Sequence, residues 1–320
     1  MSILLSITLA EVLVPKVPFS QYSLAFKLLV SVVVFSQRHA DMDRVPAVFI
    51  EEVLLLLEEE TFSYKEPKKY PSIWGKIYQK TLDIKRVKVF FSNSGNQAVF
   101  SVNVGRDSAP LEELEQCVIR HIKISDEDED FNTKTKYPLT EANYLLLRKV
   151  LRKGYPCKLK FLNCERWDQP LIEQLCFATP RITHILTYNH LPSTVDVVTR
   201  SVERRILRCF IGCAEFQLTE EMFSIYLRYV ASEELGNFEI GVASDSPVSY
   251  EEALERTIDA VLRKEGTKRF IISVAMRARS LCRRLETEEM RDRFRITSNY
   301  ENNYICVQTY DGSFDDVVEY

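Results

Sequence analysis

The sequence predicts an α/β protein in which a short N-terminal helical segment precedes an irregular solenoid of strands and helices. Two amphipathic helical patterns lie between residues 46 and 82. Beyond them, short apolar runs alternate with helical runs almost to the C terminus. With 46% apolar and 28% charged residues, the 320-residue chain has enough apolar material for a core.

Residues 1–41 form an apolar N-terminal extension that does not fit a membrane anchor. Its two apolar runs, Ile3–Val14 and Leu24–Phe35, are shorter than the roughly 20 residues that a membrane-spanning helix needs. No basic residue precedes the first run, as a signal peptide would require. Because the composition changes abruptly before Met42, we expect residues 1–41 to be a translated leader or a gene-prediction artefact.

Residues 42–85 contain two predicted helices. Pro46 suits the first turn of a helix, where its missing N–H costs nothing. Apolar residues then follow at helical spacing as far as Leu57. After a polar loop, a second amphipathic helix begins near Ser72 and includes Trp74 on its apolar side.

This segment of about forty residues resembles the F-box, and more specifically the divergent F-box-like proteins of nematodes. The matching pattern is Val45-Pro46-x-x-Phe49-x-Glu51-x-Val53-Leu54-x-Leu56-Leu57, followed by a loop and a Trp-bearing helix. F-box segments bind the linker subunit of a cullin–RING ubiquitin ligase, while the remainder of the chain recruits a substrate. The resemblance implies a linker-binding set of Val45, Pro46, Phe49, Val53, Leu54 and Leu57. The alternative is that these helices only cap the domain that follows.

Residues 86–320 begin with a predicted β-hairpin, in which Val87–Phe91 and Ala98–Val104 flank the turn-rich Ser92–Asn96. Six units of one strand and one helix then follow. The predicted pairs are Ile122–Ile124 with Glu141–Arg152, Lys158–Leu162 with Leu171–Ala178, Ile182–Tyr188 with Val195–Arg204, Leu207–Ile211 with Glu220–Ala231, Phe238–Val242 with Tyr250–Arg263, and Phe270–Val274 with Met276–Phe294.

The spacing of these units indicates a leucine-rich-repeat-like solenoid. Strand starts recur about every 24–37 residues, against roughly 20–29 in leucine-rich repeats. Stacking such units gives a parallel sheet with helices on one face and the other face open to a partner. A compact doubly wound α/β domain is the alternative, although no glycine-rich turn marks a ligand crevice.

Local signals support the helix boundaries. Ser249 and Glu252 form a predicted capping box, and Thr219 is a predicted N-cap. Gly154 is expected to end the helix that begins near Glu141.

Alternation within the strands predicts which side chains lie on the open face of the sheet. The predicted partner-binding set is Lys123, Lys158, Lys160, Arg208, Phe210, Glu239, Arg269 and Ile271. Its basic and apolar mixture suits a protein partner with an acidic patch, since charges steer encounter and apolar anchors supply affinity. The alternative is that this row is only the solvated side of a sheet. In the strand at 182–188, both sets of alternate residues include apolar side chains, so the pattern does not decide which set points into the core.

The sequence gives little support for enzyme chemistry, metal binding or nucleic-acid binding. The net charge of -4 argues against bulk nucleic-acid binding. The nucleotide, hydrolase and zinc-protease motifs GxxxxGKS, GxSxG and HExxH are absent, and the four histidines are isolated. We therefore predict no catalytic residue, no metal and no cofactor.

The eight cysteines contain no CxxC pair, which is typical of a reducing compartment and favours a cytoplasmic or nuclear location.

These observations predict a protein-interaction adaptor that resembles the substrate-recruiting F-box subunits of cullin–RING ubiquitin ligases. Its expected partners are the linker subunit and an unknown target protein, without nucleic acid or membrane. The alternatives are a non-catalytic interaction scaffold that has lost linker binding, and a small α/β enzyme.

Overall fold

The computed structural model describes residues 46–47, 50, 72–94, 97–105, 107–126, 135–162, 164, 169–188, 192–264, 270–299 and 304–309. The chain divides into two compact units, Met1–Ile84 and Lys85–Tyr320. In the first unit, the Ile50 backbone N–H donates to the Pro46 carbonyl at 3.2 Å, as expected of a first helical turn. Helix α1, Ser72–Asp83, begins where its amphipathic pattern predicts.

The second unit alternates strands and helices. Its strands are β1 (Arg86–Ser94), β2 (Gln97–Val104), β3 (Asp107–Ser108), β4 (Val118–Ser125), β5 (Tyr137–Pro138), β6 (Cys157–Leu162), β7 (Ile182–Thr187), β8 (Cys209–Phe216), β9 (Asn237–Val242), β10 (Ile271–Ala275), β11 (Phe294–Asn299) and β12 (Tyr304–Thr309). Its α-helices are α2 (Glu141–Leu151), α3 (Pro170–Ala178), α4 (Pro192–Glu203), α5 (Glu220–Ala231), α6 (Tyr250–Leu262) and α7 (Glu288–Arg291). The 3-10 helices are Leu111–Gln116 and Met276–Leu285.

Among the described residues these strands form one twelve-stranded mixed sheet. β1, β4, β6, β7, β8, β9 and β10 lie side by side in chain order and run parallel. Antiparallel strands close both ends. At one end β2 pairs with β1, and β3 and β5 pair with β2. At the other end β12 pairs with β10, and β11 pairs with β12. Each crossover helix packs against the next, so α2 to α6 form one layer. The predicted α/β class and the alternation of strands and helices are confirmed.

One continuous row of apolar side chains crosses the sheet on its helix side. The row, defined by strand register, is Val89, Ile122, Leu159, Ile185, Phe210, Phe238, Ile272 and Val307. All eight are buried, with 4% exposure or less. The Phe210 ring lies 4.7 Å from that of Tyr226 on α5, which places the row against the helices. We name it the core row; its burial is a main source of stability.

The core row shows that the predicted alternation is wrong in β8. Phe210 was expected on the open face with Cys209 and Ile211 inside, yet Phe210 is fully buried and the other two are half-exposed. The strand begins only at Cys209, so the buried Leu207 lies before it and does not share its phase. The register of β8 is set by its neighbours, because Phe210 pairs with Ile185 and with Phe238.

The C-terminal end of the sheet also differs from expectation. The predicted helix Met276–Phe294 is instead the 3-10 helix Met276–Leu285 followed by the single-turn helix α7. Ala278 has a non-helical backbone (φ -99°, ψ 17°) at a kink within that segment. The antiparallel strands β11 and β12 follow and cover the edge of β10.

The crossover helices begin as their sequence signals indicate. Thr219 Oγ1 accepts from the Met222 backbone N–H at 3.3 Å, and Ser249 Oγ accepts from that of Glu252 at 3.2 Å. These contacts confirm both predicted N-caps. Gly154 follows α2 with φ +79°, the left-handed conformation typical of glycine after a helix.

Just after three of the crossover helices, a lysine or arginine side chain donates a hydrogen bond to a backbone carbonyl group of the segment that precedes the helix. Lys153 donates to the Cys117 carbonyl at 3.2 Å, Arg204 to that of Pro180 at 3.2 Å, and Lys264 to that of Val230 at 3.2 Å. The acceptors near the ends of α3 and α5 lie where helix carbonyls lack intrahelical partners and carry negative partial charge. This repeated contact indicates repeating units that the sequence does not reveal by similarity.

Gly236 occupies a position where three strand starts meet. The Arg208 carbonyl accepts from the backbone N–H groups of Gly236 and Asn237, both at 2.9 Å, and the Gly236 carbonyl accepts from Ile271 at 2.8 Å. A Cβ atom on Gly236 would lie 2.6 Å from the Arg208 carbonyl oxygen. Because that neighbour is backbone, the strand starts would have to separate.

We predict that Gly236→Ala lowers the free energy of unfolding by about 1–3 kcal/mol, the usual range for overpacking. Gly154→Asn is the matched control, since a Cβ there meets nothing within 4 Å and asparagine tolerates positive φ. Gly154→Asn should lower the free energy of unfolding by no more than about 1 kcal/mol. Urea unfolding followed by circular dichroism measures both, and equal stability of Gly236→Ala and wild type would contradict the close approach.

Candidate protein-interaction face

The face of the sheet opposite the helices presents two rows of partly exposed side chains, which we name the open face. The first row is Lys88, His121, Lys158, His184, Cys209, Asn237, Ile271 and Gln308. The second is Phe90, Lys123, Lys160, Leu186, Ile211, Glu239, Ser273 and Cys306. All sixteen are half-exposed or exposed, in contrast to the core row between them.

The half of the open face on β1, β4 and β6 is basic. Lys88, Lys123, Lys158 and Lys160 all belong to it, and Lys88 and Lys160 are exposed. Adjacent strands lie about 4.8 Å apart, and residues two apart along a strand about 7 Å. The four ammonium groups therefore share a small area, where they repel one another and favour an anionic partner.

His121 lies within this basic half, and His184 lies next to it on β7. Burial, followed by the charges of Lys158 and Lys88, lowers the pKa of His121 to about 4. Burial, followed by the charge of Lys158, lowers the pKa of His184 to about 3. Nδ1 of His184 is also hydrogen-bonded to the Thr183 hydroxyl at 2.9 Å. Both imidazoles are neutral at pH 7, although they lie where an imidazolium could meet an anion.

The half of the open face on β7 to β10 is more apolar than the basic half. Leu186, Cys209, Ile211 and Ile271 are its half-exposed apolar members. Glu239 lies among them, and burial raises the pKa of its carboxyl group while a hydrogen bond to Ser273 lowers it in part. An apolar strip with one carboxylate beside a basic strip can accept an apolar anchor next to acidic groups.

The cysteines of the open face behave as small apolar groups. Burial raises the pKa of Cys209 to about 12, and it also raises the pKa of Cys306. The thiols therefore stay protonated at neutral pH and lack the nucleophilic thiolate form. All eight cysteines are free of disulfides, and Cys117, Cys157, Cys164, Cys176 and Cys282 are buried.

Five of the eight predicted partner-binding residues come together on the open face. They are Lys123, Lys158, Lys160, Glu239 and Ile271. Phe210 is in the core row instead. Arg208 precedes β8, because the strand starts two residues later than predicted. Its side chain is half-buried, and its guanidinium group is paired with the Glu234 carboxylate. Arg269 lies outside the described residues.

Sequence reasoning missed several members of the open face. Lys88 could have been found, since it alternates with the buried Val87 and Val89 in the predicted hairpin. His184 and Leu186 share one phase of β7, but that phase was ambiguous until pairing placed Ile185 in the core row. His121 follows an irregularity in the pairing of β4 with β1, which simple alternation does not predict.

The predicted linker-binding residues fall mostly outside the described part of the chain. Pro46 is described and is exposed. Val45, Phe49, Val53, Leu54 and Leu57 lie outside the described residues.

In the part of the chain that the structure describes, no group of three or more histidine, cysteine or acidic side chains is placed to hold a metal ion. No helix within that described part has the length and apolar character needed to cross a bilayer.

The chain matches no known protein family in a comparison with family models, and it matches no curated protein and no solved structure.

Proposed function

We propose that the chain is a protein-interaction adaptor that binds a target protein on its open face. The observation that carries this proposal is the pair of in-register rows on the sheet face that α2 to α6 leave uncovered. The arrangement of one strand and one helix per unit is leucine-rich-repeat-like, and repeat proteins of this kind use the uncovered strand face for partners. The adaptor acts without a catalytic centre of its own.

The dimensions of the open face favour a protein partner over a small molecule. Eight neighbouring strands, at about 4.8 Å each, give a strip roughly 34 Å wide. Small ligands bind in enclosed concave pockets, whereas protein interfaces extend over about 800 Å² per partner and combine an apolar centre with polar surroundings. Leu186 and Ile211, which continue the register of Lys160 across β7 and β8, give the open face this mixed character.

We further propose that residues 42–85 dock the linker subunit of a cullin–RING ubiquitin ligase, so that a captured target is presented for ubiquitin transfer. This proposal rests on the F-box-like pattern from Val45 to Leu57. A scaffold that has lost linker binding would bind targets through the same open face, and linker capture separates the two functions. The soluble reducing compartments in which such ligases act also suit the eight free cysteines.

The linker contact is tested by co-purification of the linker subunit with the full chain. Phe49→Ala/Leu54→Ala is expected to lose linker capture by at least about a hundredfold, since two apolar anchors of about 2 kcal/mol each are removed. The variant should keep the melting temperature of the second unit, and Leu145→Ala on an exposed helix position is the matched control. Wild-type chain that captures no linker subunit would reject the ligase role, while unchanged capture by the double variant would reject these contact residues.

A further inference from the structure

Lysines and histidines alternate across four adjacent parallel strands of the open face. Lys88 on β1, His121 on β4, Lys158 on β6 and His184 on β7 are paired in register. Lys158 therefore lies between the two imidazoles, about 4.8 Å from each in strand spacing. The row is a continuous line of groups that are cationic or can become cationic.

Among the residues that the structure describes, the charged groups that act on the two imidazoles are all positive. His121 is acted on by Lys88 of β1, by Lys158 and Lys160 of β6 and by Arg120 of its own strand. For His184, the groups acting on it are Lys158 of β6, His121 and Arg120 of β4, and Arg208 before β8. A charge on one imidazole therefore opposes a charge on the other, and the partner's carboxylates have to offset this repulsion as well. Glu239 lies two strands beyond His184 and acts on neither.

An anionic partner would reverse this balance. Carboxylates placed over Lys158 and Lys160 would cancel the lysine repulsion that adds to burial in keeping the imidazoles neutral, and would give an imidazolium a direct partner. A site that becomes more cationic when an anion docks binds that anion and protons together, because linkage is reciprocal. The adjoining apolar strip would receive an apolar side chain next to the acidic run.

We propose that the row from Lys88 to His184 binds a carboxylate-rich segment of a partner protein, and that His121 and His184 each take up a proton as it docks. This inference rests on the proposed function and names the partner class and its pH dependence. The protons come from the solvent and bind to the free imidazole nitrogens, while the carboxylates of the partner remain ionised. An acidic peptide is favoured over RNA, because the apolar strip offers one aliphatic anchor site and the whole chain is acidic, with a net charge of -4.

The probe is a synthetic peptide of about ten residues, rich in aspartate and glutamate with one central leucine, titrated into the full chain. Affinity should rise by up to about tenfold per pH unit for each proton taken up, between about pH 7.5 and about pH 5.5. The sign follows from pKa values near 4 and 3 in the free protein that rise toward or above the ordinary value on binding. Calorimetry in two buffers of different ionisation enthalpy counts the protons, and imidazole NMR resonances report each pKa.

Two variants separate proton uptake from simple charge attraction. His121→Gln/His184→Gln should bind the peptide about as wild type does at about pH 7.5 but gain little affinity on acidification. Lys158→Gln should weaken binding and also raise the pKa of both free imidazoles, which a merely structural lysine would not do. The imidazole NMR resonances of His39 and His190 are identified by substituting each residue singly, so that all four histidine resonances are distinguished.

Peptide binding without proton uptake, no binding at either pH, or tighter binding of a single-stranded RNA of equal charge would each overturn the inference. These failures differ from failure of the proposed function. If the peptide test fails but charge reversal on the open face still releases the cellular target, the open face binds its target without proton uptake by the histidines. The adaptor role then stands. If charge reversal leaves the target bound as well, the open face is not the binding surface.

Discussion

Phe210→Ala is expected to lower the free energy of unfolding by about 3–5 kcal/mol, the usual cost of truncating a buried aromatic ring. The Phe210 side chain is fully buried and its ring lies 4.7 Å from Tyr226 and 6.1 Å from Phe238. Removing it opens a cavity in the middle of the core row, where β7, β8 and β9 cannot close together without shifting register. Equilibrium unfolding in urea measures the loss.

Ile211→Ala is the matched control for this prediction. Ile211 is the next residue of β8, but it lies on the open face and is half-exposed. Its truncation should cost no more than about 1 kcal/mol, as for partly exposed positions. If Ile211→Ala proved the more destabilising of the two, the face assignment of β8 would be reversed and the open face would lose its apolar strip.

Lys158→Glu/Lys160→Glu is expected to reduce target capture by at least about a hundredfold, since charge reversal at a complementary interface costs several kcal/mol. Lys160 is exposed and Lys158 half-exposed, and they lie on the same strand within the basic half of the open face. Folding stability should change by no more than about 0.5 kcal/mol, the ordinary effect of surface substitutions. Capture by the wild type should weaken with salt, whereas residual capture by the variant should depend on salt much less.

Arg152→Glu/Arg228→Glu provides the matched control for charge reversal. Both arginines are exposed on the helix layer, at the end of α2 and in the last turn of α5. The net charge changes by the same amount, so a general effect of acidity would appear in both variants. Equal loss of capture in the two variants would mean that the lysines of the open face are not specific contacts.

Local sequence patterns predicted most of the strand–helix layout, because each unit has its own alternation or amphipathic period. The bounds of α5 agree with prediction at both ends, since Thr219 caps the helix and Glu220 begins it. Strands β6, β9 and β10 also present the faces that alternation predicts. In β8 the prediction failed, because the face is decided by register with β7 and β9 and not by the strand alone.

The candidate site was predictable only in part, for the same reason. Lys158 and Lys160 alternate with buried apolar residues within one strand, so their face follows from the sequence. The alternation of lysine with histidine across four strands depends on pairing irregularities before Lys88 in β1 and before Lys158 in β6. Such irregularities arise from contacts between strands that are far apart in sequence, and no local pattern marks them.

The most direct test of the open face as the binding surface is site-specific photo-crosslinking in cells that express the full chain. A benzophenone amino acid replaces Lys160 or Ile211 on the open face, or Leu145, which is 51% exposed on α2. We expect Lys160 and Ile211 to form the same crosslinked protein adduct upon irradiation, and Leu145 to form none. An adduct from Leu145 alone, or none from either open-face position, would contradict the account.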